Sequence, residues 1–190
     1  MTKNILLVGV GGQGTILAAK LLTTGLMERG YDVKMSEIHG MSQRGGSVSS
    51  QVRYGEKVES TVIEKGSADI IIAFEKMEAL RALDYLKPDG TIVVNDLEIE
   101  SMPILTGKFD YPSDVIEELQ SKAKTIVVEA SKLAKELGNS RVTNMILFGT
   151  IIKSMQLEDI DWNKILSENI KPNLVEINLK AIELGKSLIK

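Results

Sequence analysis

The chain has 190 residues, of which 43% are hydrophobic and 26% are charged, and its formal net charge is −3. This length and composition are typical of one globular domain, so residues 1–190 are expected to fold as a single domain. The sequence contains no cysteine and only one histidine. These counts exclude a disulfide, a thiolate zinc site, a multi-histidine metal site and a cysteine-ligated iron–sulfur cluster in this chain.

The composition also disfavours two classes of partner. Nucleic-acid binding needs a surplus of Lys and Arg and aromatic rings for base stacking, whereas this chain is slightly acidic and has only three Phe, four Tyr and one Trp. The first apolar run, residues 5–10, is too short for a signal-peptide core or a membrane span. We therefore expect a cytoplasmic protein with no nucleic-acid or membrane partner.

The first elements follow a β–α–β pattern. The continuous apolar run at residues 5–10 predicts a buried parallel strand, and helical periodicity predicts a helix from Thr15 to Arg29 that ends at Gly30. A second strand is expected over residues 32–38. The crossover between the two strands is expected to be right-handed.

Strict alternation of residue types then predicts a β-hairpin. Ser47 to Tyr54 alternates, Val58 to Ile63 alternates again, and Gly55 and Glu56 lie between them. This pattern predicts two paired strands with one solvent-exposed face. Because the hairpin interrupts the β–α–β rhythm, the sheet is expected to be mixed but mostly parallel.

The middle of the chain returns to alternating strands and helices. We expect strands at 69–74, 91–95 and 125–128, helices at 76–86, 113–122 and 129–137, a turn at 87–90 and an irregular segment at 96–112.

The C-terminal third is helical. A nearly continuous apolar face predicts a buried helix over 141–155, and two further helices are expected from Asp161 to about Ile170 and from Pro172 to Ile189. The predicted fold is therefore an α/β, three-layer Rossmann-like domain. It has a mixed, mostly parallel sheet, a β-hairpin insertion and a helical C-terminal third that packs on it from about residue 140.

A glycine-rich turn follows the first strand. Its spacing matches G-x-G-x-x-G between a strand and a helix, a pattern typical of dinucleotide sites, where backbone N–H groups approach a phosphate. An acidic side chain ends the second strand, where a ribose-binding acid would lie. The alternative is that the glycines only allow close packing of helix and strand. The candidate binding residues are Gly9, Gly11, Gly12, Gln13, Gly14 and Glu37.

A second polar segment, residues 39–46, follows the second strand. By the switch-point rule it is expected beside the glycine-rich turn at the carboxyl edge of the sheet. There it can hold a phosphate or carboxylate through an Arg, a Ser and free backbone N–H groups. The alternative is a tight turn in which Arg44 pairs with Glu37. The candidate binding residues of this segment are His39, Ser42, Gln43, Arg44, Gly45 and Gly46.

Both segments carry a resemblance to a known family. Gly-x-Gly-Gly-Gln-Gly followed by Glu-x-His-Gly-Met-Ser-Gln-Arg-Gly-Gly and a Ser/Val-rich strand resembles the gamma-type domain of the 2-oxoacid:ferredoxin oxidoreductases. The likeness is strongest to the indolepyruvate branch and extends to Asn144–Gly149 in the predicted buried helix.

The resemblance implies a small subunit of an enzyme that oxidatively decarboxylates an aryl 2-oxoacid such as indolepyruvate. In that family, thiamine diphosphate, Mg²⁺ and [4Fe–4S] clusters are expected on a larger, cysteine-rich alpha subunit. Electrons pass to ferredoxin and the acyl group passes to coenzyme A. No cofactor is then expected on this chain alone, no catalytic residue is assigned to it, and the isolated chain is expected to be inactive.

Two other functions remain open from the sequence. The glycine spacing and Glu37 are compatible with a stand-alone oxidoreductase that binds NAD or FAD. Alternatively, both polar segments form an interface and contact no ligand, which makes the chain a purely structural subunit.

Overall fold

The computed structural model describes residues 2–40 and 45–190. Within them, six strands form one sheet: β1 Lys3–Val10, β2 Asp32–His39, β3 Ser47–Gly55, β4 Ala68–Ala73, β5 Leu86–Asn95 and β6 Lys124–Val128. The helices are α1 Thr15–Glu28, α2 Lys76–Ala82, α3 Met102–Leu105, α4 Val115–Lys122, α5 Ala130–Glu136, α6 Thr143–Ser154, α7 Trp162–Asn169 and α8 Pro172–Ser187. No helix of these described ranges is long and apolar enough to cross a membrane.

The sheet is mixed, with strand order β2-β3-β1-β4-β5-β6. Strands β1, β4, β5 and β6 pair in parallel, whereas β3 is antiparallel to both of its neighbours. The mixed, mostly parallel sheet of the sequence prediction is confirmed. However, β3 lies between β1 and β2, so these two strands are not neighbours as in a simple β–α–β unit.

Helices cover both faces of the sheet and produce the expected three layers. On one face, Ile5 and Leu7 of β1 pack with α1, α5, α6, α7 and α8. On the other face, Leu6 and Val8 pack with α2 and α4. Because successive strand residues point to opposite faces, the apolar residues 5–10 of β1 supply both cores.

The predicted hairpin is wrong in its second strand. Ser47 to Tyr54 does form β3, but its hairpin partner is β2, and residues 58–63 are not a strand. Side chains of the sheet hold that segment instead: the Gln51 amide oxygen accepts from Ile63 N–H at 2.6 Å, and Arg53 donates to the Ser60 and Val62 carbonyls. Within residues 58–63, only Val58 and Ile63 are buried, whereas Val62 is 55% exposed, so burial in this segment does not follow the alternation.

The same segment explains why the predicted solvent-exposed face of β3 is covered. Gln51 is only 3% exposed because residues 58–63 lie across it. Polar side chains on this face hydrogen-bond to the covering backbone rather than to water.

The middle of the chain differs from the predicted boundaries. The helix expected over 76–86 ends at Ala82, and β5 begins at Leu86, so residues 87–90 lie within β5 instead of forming a separate turn. Pairing between β4 and β5 is irregular there. The segment expected to be irregular at 96–112 contains the short helix α3. By contrast, Asp161 caps α7 as expected, and Pro172 is the first residue of α8.

Helices α6 and α8 cross at two glycines. A Cβ atom added to Gly149 would overlap the carbonyl oxygen of Ile182, and one added to Gly185 would overlap the carbonyl oxygen of Ile146. The crossing therefore requires that both positions lack a side chain. It fixes the C-terminal helices against the sheet, since α6 carries Met145, Ile146 and Phe148 in the same core.

We predict that Gly149→Ala lowers the free energy of unfolding by about 1–3 kcal/mol, since overpacking a tight contact costs about that much. In an open helix the same substitution would stabilise by about 1 kcal/mol. Lys180→Ala on the exposed side of α8 is the matched control and should change stability by less than about 0.5 kcal/mol. Chemical denaturation of the full chain measures both. A stable Gly149→Ala protein would show that the helices are further apart than described.

Candidate functional site

The glycine-rich turn lies at the carboxyl edge of the sheet, between β1 and α1. Gly12 and Gly14 have left-handed φ angles of 100° and 82°. Gly14 caps α1 without a side chain, and the first turn of α1 has no acidic residue. No side chain in the first turn of α1 therefore neutralises the positive end of the helix dipole. This arrangement favours the binding of an anion.

Two of the predicted glycines also have packing roles. A Cβ atom on Gly9 would lie 2.9 Å from the Phe74 Cβ, and one on Gly14 would lie 2.6 Å from the Asn144 amide nitrogen. Gly12 has open space around it. Close packing thus accounts for Gly9 and Gly14, whereas Gly12 leaves room for a ligand to approach the backbone.

Gln13 spans the gap between two strands. Its Oε1 accepts from Val10 N–H at 2.7 Å, and its Nε2 donates to the Phe74 carbonyl at 2.9 Å. Both ends of this amide are therefore used inside the protein. Gln13 shapes the turn, and direct contact with a ligand remains a prediction for it.

The second polar segment meets the glycine-rich turn, as the sequence predicts. Gly11 N–H donates to the Gly46 carbonyl at 2.8 Å, and Ser47, the first residue of β3, donates to Glu78 of α2 at 2.5 Å. These contacts bring Gly45 and Gly46 to the end of β1. The other predicted residues of this segment, Ser42, Gln43 and Arg44, lie outside the described residues, and so does the alternative pairing of Arg44 with Glu37.

Glu37 and His39 lie on the α1 side of β2, since Val33 and Met35 on the same face pack in that core. Strand β3 separates them from β1. Two strand spacings place β2 about 10 Å from β1, whereas a ribose-binding acid requires a neighbouring strand. The geometry therefore disfavours the dinucleotide interpretation of Glu37. His39 contributes to a groove beside α1.

Two grooves flank the glycine-rich turn. The outer groove, of about 670 Å³, lies between the first turn of α1 and the β2/β3 edge, and its walls are mainly apolar. It is lined by Gly11, Gly12, Gly14, Thr15, Ile16, Leu17, Lys20, His39 and Val48.

The switch-point groove, of about 570 Å³, lies between the glycine-rich turn and the starts of α5 and α6. This is the place where α1 leaves β1 on one face of the sheet and α2 leaves β4 on the other, so it is the topological switch point. It is lined by Gly12, Gln13, Gly14, Phe74, Leu97, Ile99, Ser131, Lys135, Ser140, Arg141, Thr143 and Asn144.

The switch-point groove is positively charged. Lys135 and Arg141 are its ionisable lining residues among those described, and no Asp or Glu lines it. Gly14, the N-cap of α1, and Thr143 and Asn144, the first residues of α6, also line this groove, so backbone N–H groups add to the positive potential. The arrangement can hold a phosphate or carboxylate group through charge-assisted hydrogen bonds.

Sequence reasoning missed Lys135 and Arg141. Lys135 is one of two lysines on α5, and Arg141 lies in the short 3-10 turn Ser140–Val142 that precedes α6. The folded structure brings both residues to the groove beside the glycine-rich turn. A partial signal was available, because α5 follows β6 and parallel strands end at the same edge.

No group of three or more His, Asp or Glu side chains that could hold a metal ion occurs within residues 2–40 and 45–190. The candidate site is therefore a groove that suits an anion. Its polar groups are backbone N–H groups, a lysine and an arginine.

Comparisons with known proteins agree with this fold. The family model for pyruvate ferredoxin/flavodoxin oxidoreductase matches residues 4–188. The indolepyruvate oxidoreductase subunit IorB of Thermococcus kodakarensis is 37% identical over 98% of this chain and 96% of its own length.

Solved structures show the same architecture. The pyruvate oxidoreductase subunit PORC of Thermotoga maritima matches with a TM-score of 0.75 at 18% identity, covering 98% of this chain and 96% of that one. A 2-oxoglutarate:ferredoxin oxidoreductase chain from Magnetococcus marinus, solved with 2-oxoglutarate, coenzyme A and succinyl-CoA bound, matches with a TM-score of 0.73 at 21% identity. There, 98% of this chain aligns with only 31% of the longer chain. By its fold, and by a match over nearly its whole length, the chain belongs to the pyruvate ferredoxin/flavodoxin oxidoreductase family.

Proposed function

We propose that this chain is the small subunit of a ferredoxin-dependent aryl 2-oxoacid oxidoreductase that acts on indolepyruvate. The relatives that carry the name indolepyruvate oxidoreductase subunit support this substrate. The observation that carries the proposal is the positively charged switch-point groove on a chain that contains no cysteine. Such a chain can help to bind an anionic substrate but cannot ligate an iron–sulfur cluster through thiolates.

The two subunits then have different roles in the enzyme. A larger, cysteine-rich alpha subunit supplies thiamine diphosphate, Mg²⁺ and the [4Fe–4S] clusters, and it carries out decarboxylation and electron transfer to ferredoxin. The small subunit shapes the site where the acyl group passes to coenzyme A. Coenzyme A carries several phosphate groups, and the structure offers Lys135, Arg141 and the backbone of the glycine-rich turn for such groups.

The outer groove suits a different part of the same ligand. Ile16, Leu17 and Val48 give it an apolar wall, while Lys20 and His39 lie at its border. Gly12 and Gly14 line both grooves, so one extended molecule can cross the turn from the charged side to the apolar side. The roles of Gly9, Gly11, Gly12, Gln13, Gly14, Glu37, His39, Gly45 and Gly46 in ligand binding are part of this proposal.

Reconstitution tests the proposed function. The purified chain, mixed with its cysteine-rich partner subunit, should support reduction of ferredoxin that depends on both indolepyruvate and coenzyme A. The isolated chain should be colourless and inactive, because it has no cysteine to ligate a cluster. An isolated chain that binds NADH or purifies with a flavin would instead support the stand-alone oxidoreductase.

We predict that Arg141→Ala and Lys135→Ala each raise the KM for coenzyme A by about 10-fold or more. A lost hydrogen bond to a charged group costs about 1.5–3 kcal/mol, and about 1.4 kcal/mol corresponds to tenfold. Lys132→Ala is the matched control, because Lys132 is exposed on the same helix, pairs with Glu129 and does not line the groove. The KM for coenzyme A of the Lys132→Ala variant should stay unchanged.

Arg44→Ala extends the same assay to the sequence-predicted residue that the structure does not describe. We expect a raised KM for coenzyme A with unchanged subunit assembly. If Arg44, Lys135 and Arg141 variants all assemble normally and keep the wild-type KM, the chain is a purely structural subunit.

A further inference from the structure

Among the described residues, Asn144 is the one buried polar side chain that lines the switch-point groove. It lies in the first turn of α6 and is only 6% exposed. Its Nδ2 donates to the Gly14 carbonyl at 3.4 Å. A Cβ atom added to Gly14 would lie 2.6 Å from the same nitrogen, so this amide joins the start of α6 closely to the glycine-rich turn.

The contact with Gly14 determines which way the amide points. A backbone carbonyl can only accept a hydrogen bond, so a flipped amide would place two oxygens against each other. The Asn144 Oδ1 therefore points away from Gly14, and it accepts from none of the described residues. The enclosed side-chain oxygens that lack a partner in this part of the chain belong to Ser50 and Ser154. The Asn144 Oδ1 is thus open to the groove that Asn144 lines.

This oxygen is an acceptor in a groove whose charged groups are donors. Lys135, Arg141 and the backbone N–H groups of the glycine-rich turn can only donate, and they suit a phosphate or carboxylate. The Asn144 Oδ1 can only accept, so it requires a hydroxyl or N–H group. A ligand that presents an anionic group alone would leave this oxygen unpaired, which costs affinity.

The spacing of Asn144 and Arg141 defines what the ligand must carry. Asn144 follows Arg141 by three residues, from the 3-10 turn into α6, and residues three apart in such turns lie on the same side. Both side chains line the groove. The matching ligand therefore has a hydrogen-bond donor beside its phosphate. The ribose of coenzyme A has this chemistry, since its 3′-phosphate and its free 2′-hydroxyl are on neighbouring carbon atoms.

We propose that Asn144 determines specificity for coenzyme A by accepting a hydrogen bond from the ribose 2′-hydroxyl, while Lys135 and Arg141 hold the neighbouring phosphate. This inference rests on the proposed function, because it takes coenzyme A as the ligand of the switch-point groove. The cationic groups attract any phosphate, whereas the Asn144 Oδ1 favours a phosphate with a hydroxyl beside it. A site built to pair with a hydroxyl discriminates against an analogue that lacks it.

The test compares coenzyme A with 2′-deoxy-coenzyme A in the reconstituted complex, using ferredoxin reduction as the assay. The wild-type KM should be about tenfold higher for the deoxy analogue, which corresponds to about 1.4 kcal/mol for the lost hydrogen bond, with unchanged kcat. Asn144→Ala should show equal KM values for both ligands, because it has no acceptor. A merely structural role for Asn144 would raise both KM values by the same factor and keep their ratio.

Two further variants complete the comparison. Asn178→Ala is the matched control, because Asn178 is 7% exposed, donates from Nδ2 to the Leu174 carbonyl at 2.7 Å and does not line the groove. It should keep the tenfold ratio. Asn144→Asp retains an acceptor oxygen at nearly the same volume, so it should keep the ratio too. Its carboxylate repels phosphate, so both of its KM values should rise. This variant tests the proposal even if Asn144→Ala does not fold.

The outcomes separate this inference from the proposed function. If the wild-type complex requires coenzyme A but uses both ligands with equal KM, the inference is overturned while the proposed function stands. The same holds if Asn144→Ala keeps the tenfold ratio, or if Asn144→Asp loses it. A wild-type complex that reduces ferredoxin without any need for coenzyme A would overturn both proposals.

Discussion

A chain of side-chain amide contacts at the carboxyl edge of the sheet sets the positions on which the site depends. Gln13 links the end of β1 to the Phe74 carbonyl that follows β4. Asn95, fully buried at the end of β5, donates to the same carbonyl, and it also exchanges hydrogen bonds with Ser131 at the start of α5. These contacts fix the strand ends and the start of α5 relative to one another, so Lys135 on α5 faces the glycine-rich turn.

The position of β3 determines what kind of site this edge can form. In a dinucleotide-binding fold, the strand that follows the first helix lies beside β1 and carries an acid that reaches the ribose. Here β3 occupies that place, which moves Glu37 one strand away and turns the outer groove into an apolar channel lined by Ile16, Leu17 and Val48. The same glycine spacing therefore lies beside an apolar groove instead of a ribose-binding acid. The positive charge comes instead from Lys135 and Arg141, on the opposite side of the turn.

Much of the fold follows from local sequence patterns. The apolar run of β1, the periodicity of α1 and the capping Asp161 all predict their elements, because these signals depend on neighbouring residues alone. Residues 58–63 show where such reasoning fails: their residue types alternate, but the segment is not a strand, and side chains of β3 satisfy its backbone hydrogen bonds. The grouping of Gly11 with Gly46 was predictable from strand direction, whereas Arg141 needed the full path of the chain.

In the assembled enzyme, we propose, the switch-point groove contacts the phosphate groups of coenzyme A. Amide hydrogen exchange of the reconstituted complex, with and without coenzyme A, tests it directly. We expect coenzyme A to slow exchange at residues 12–15 and 140–144, where the backbone lines the groove and begins α1 and α6. Unchanged exchange in both segments at a saturating concentration of coenzyme A would contradict the claim.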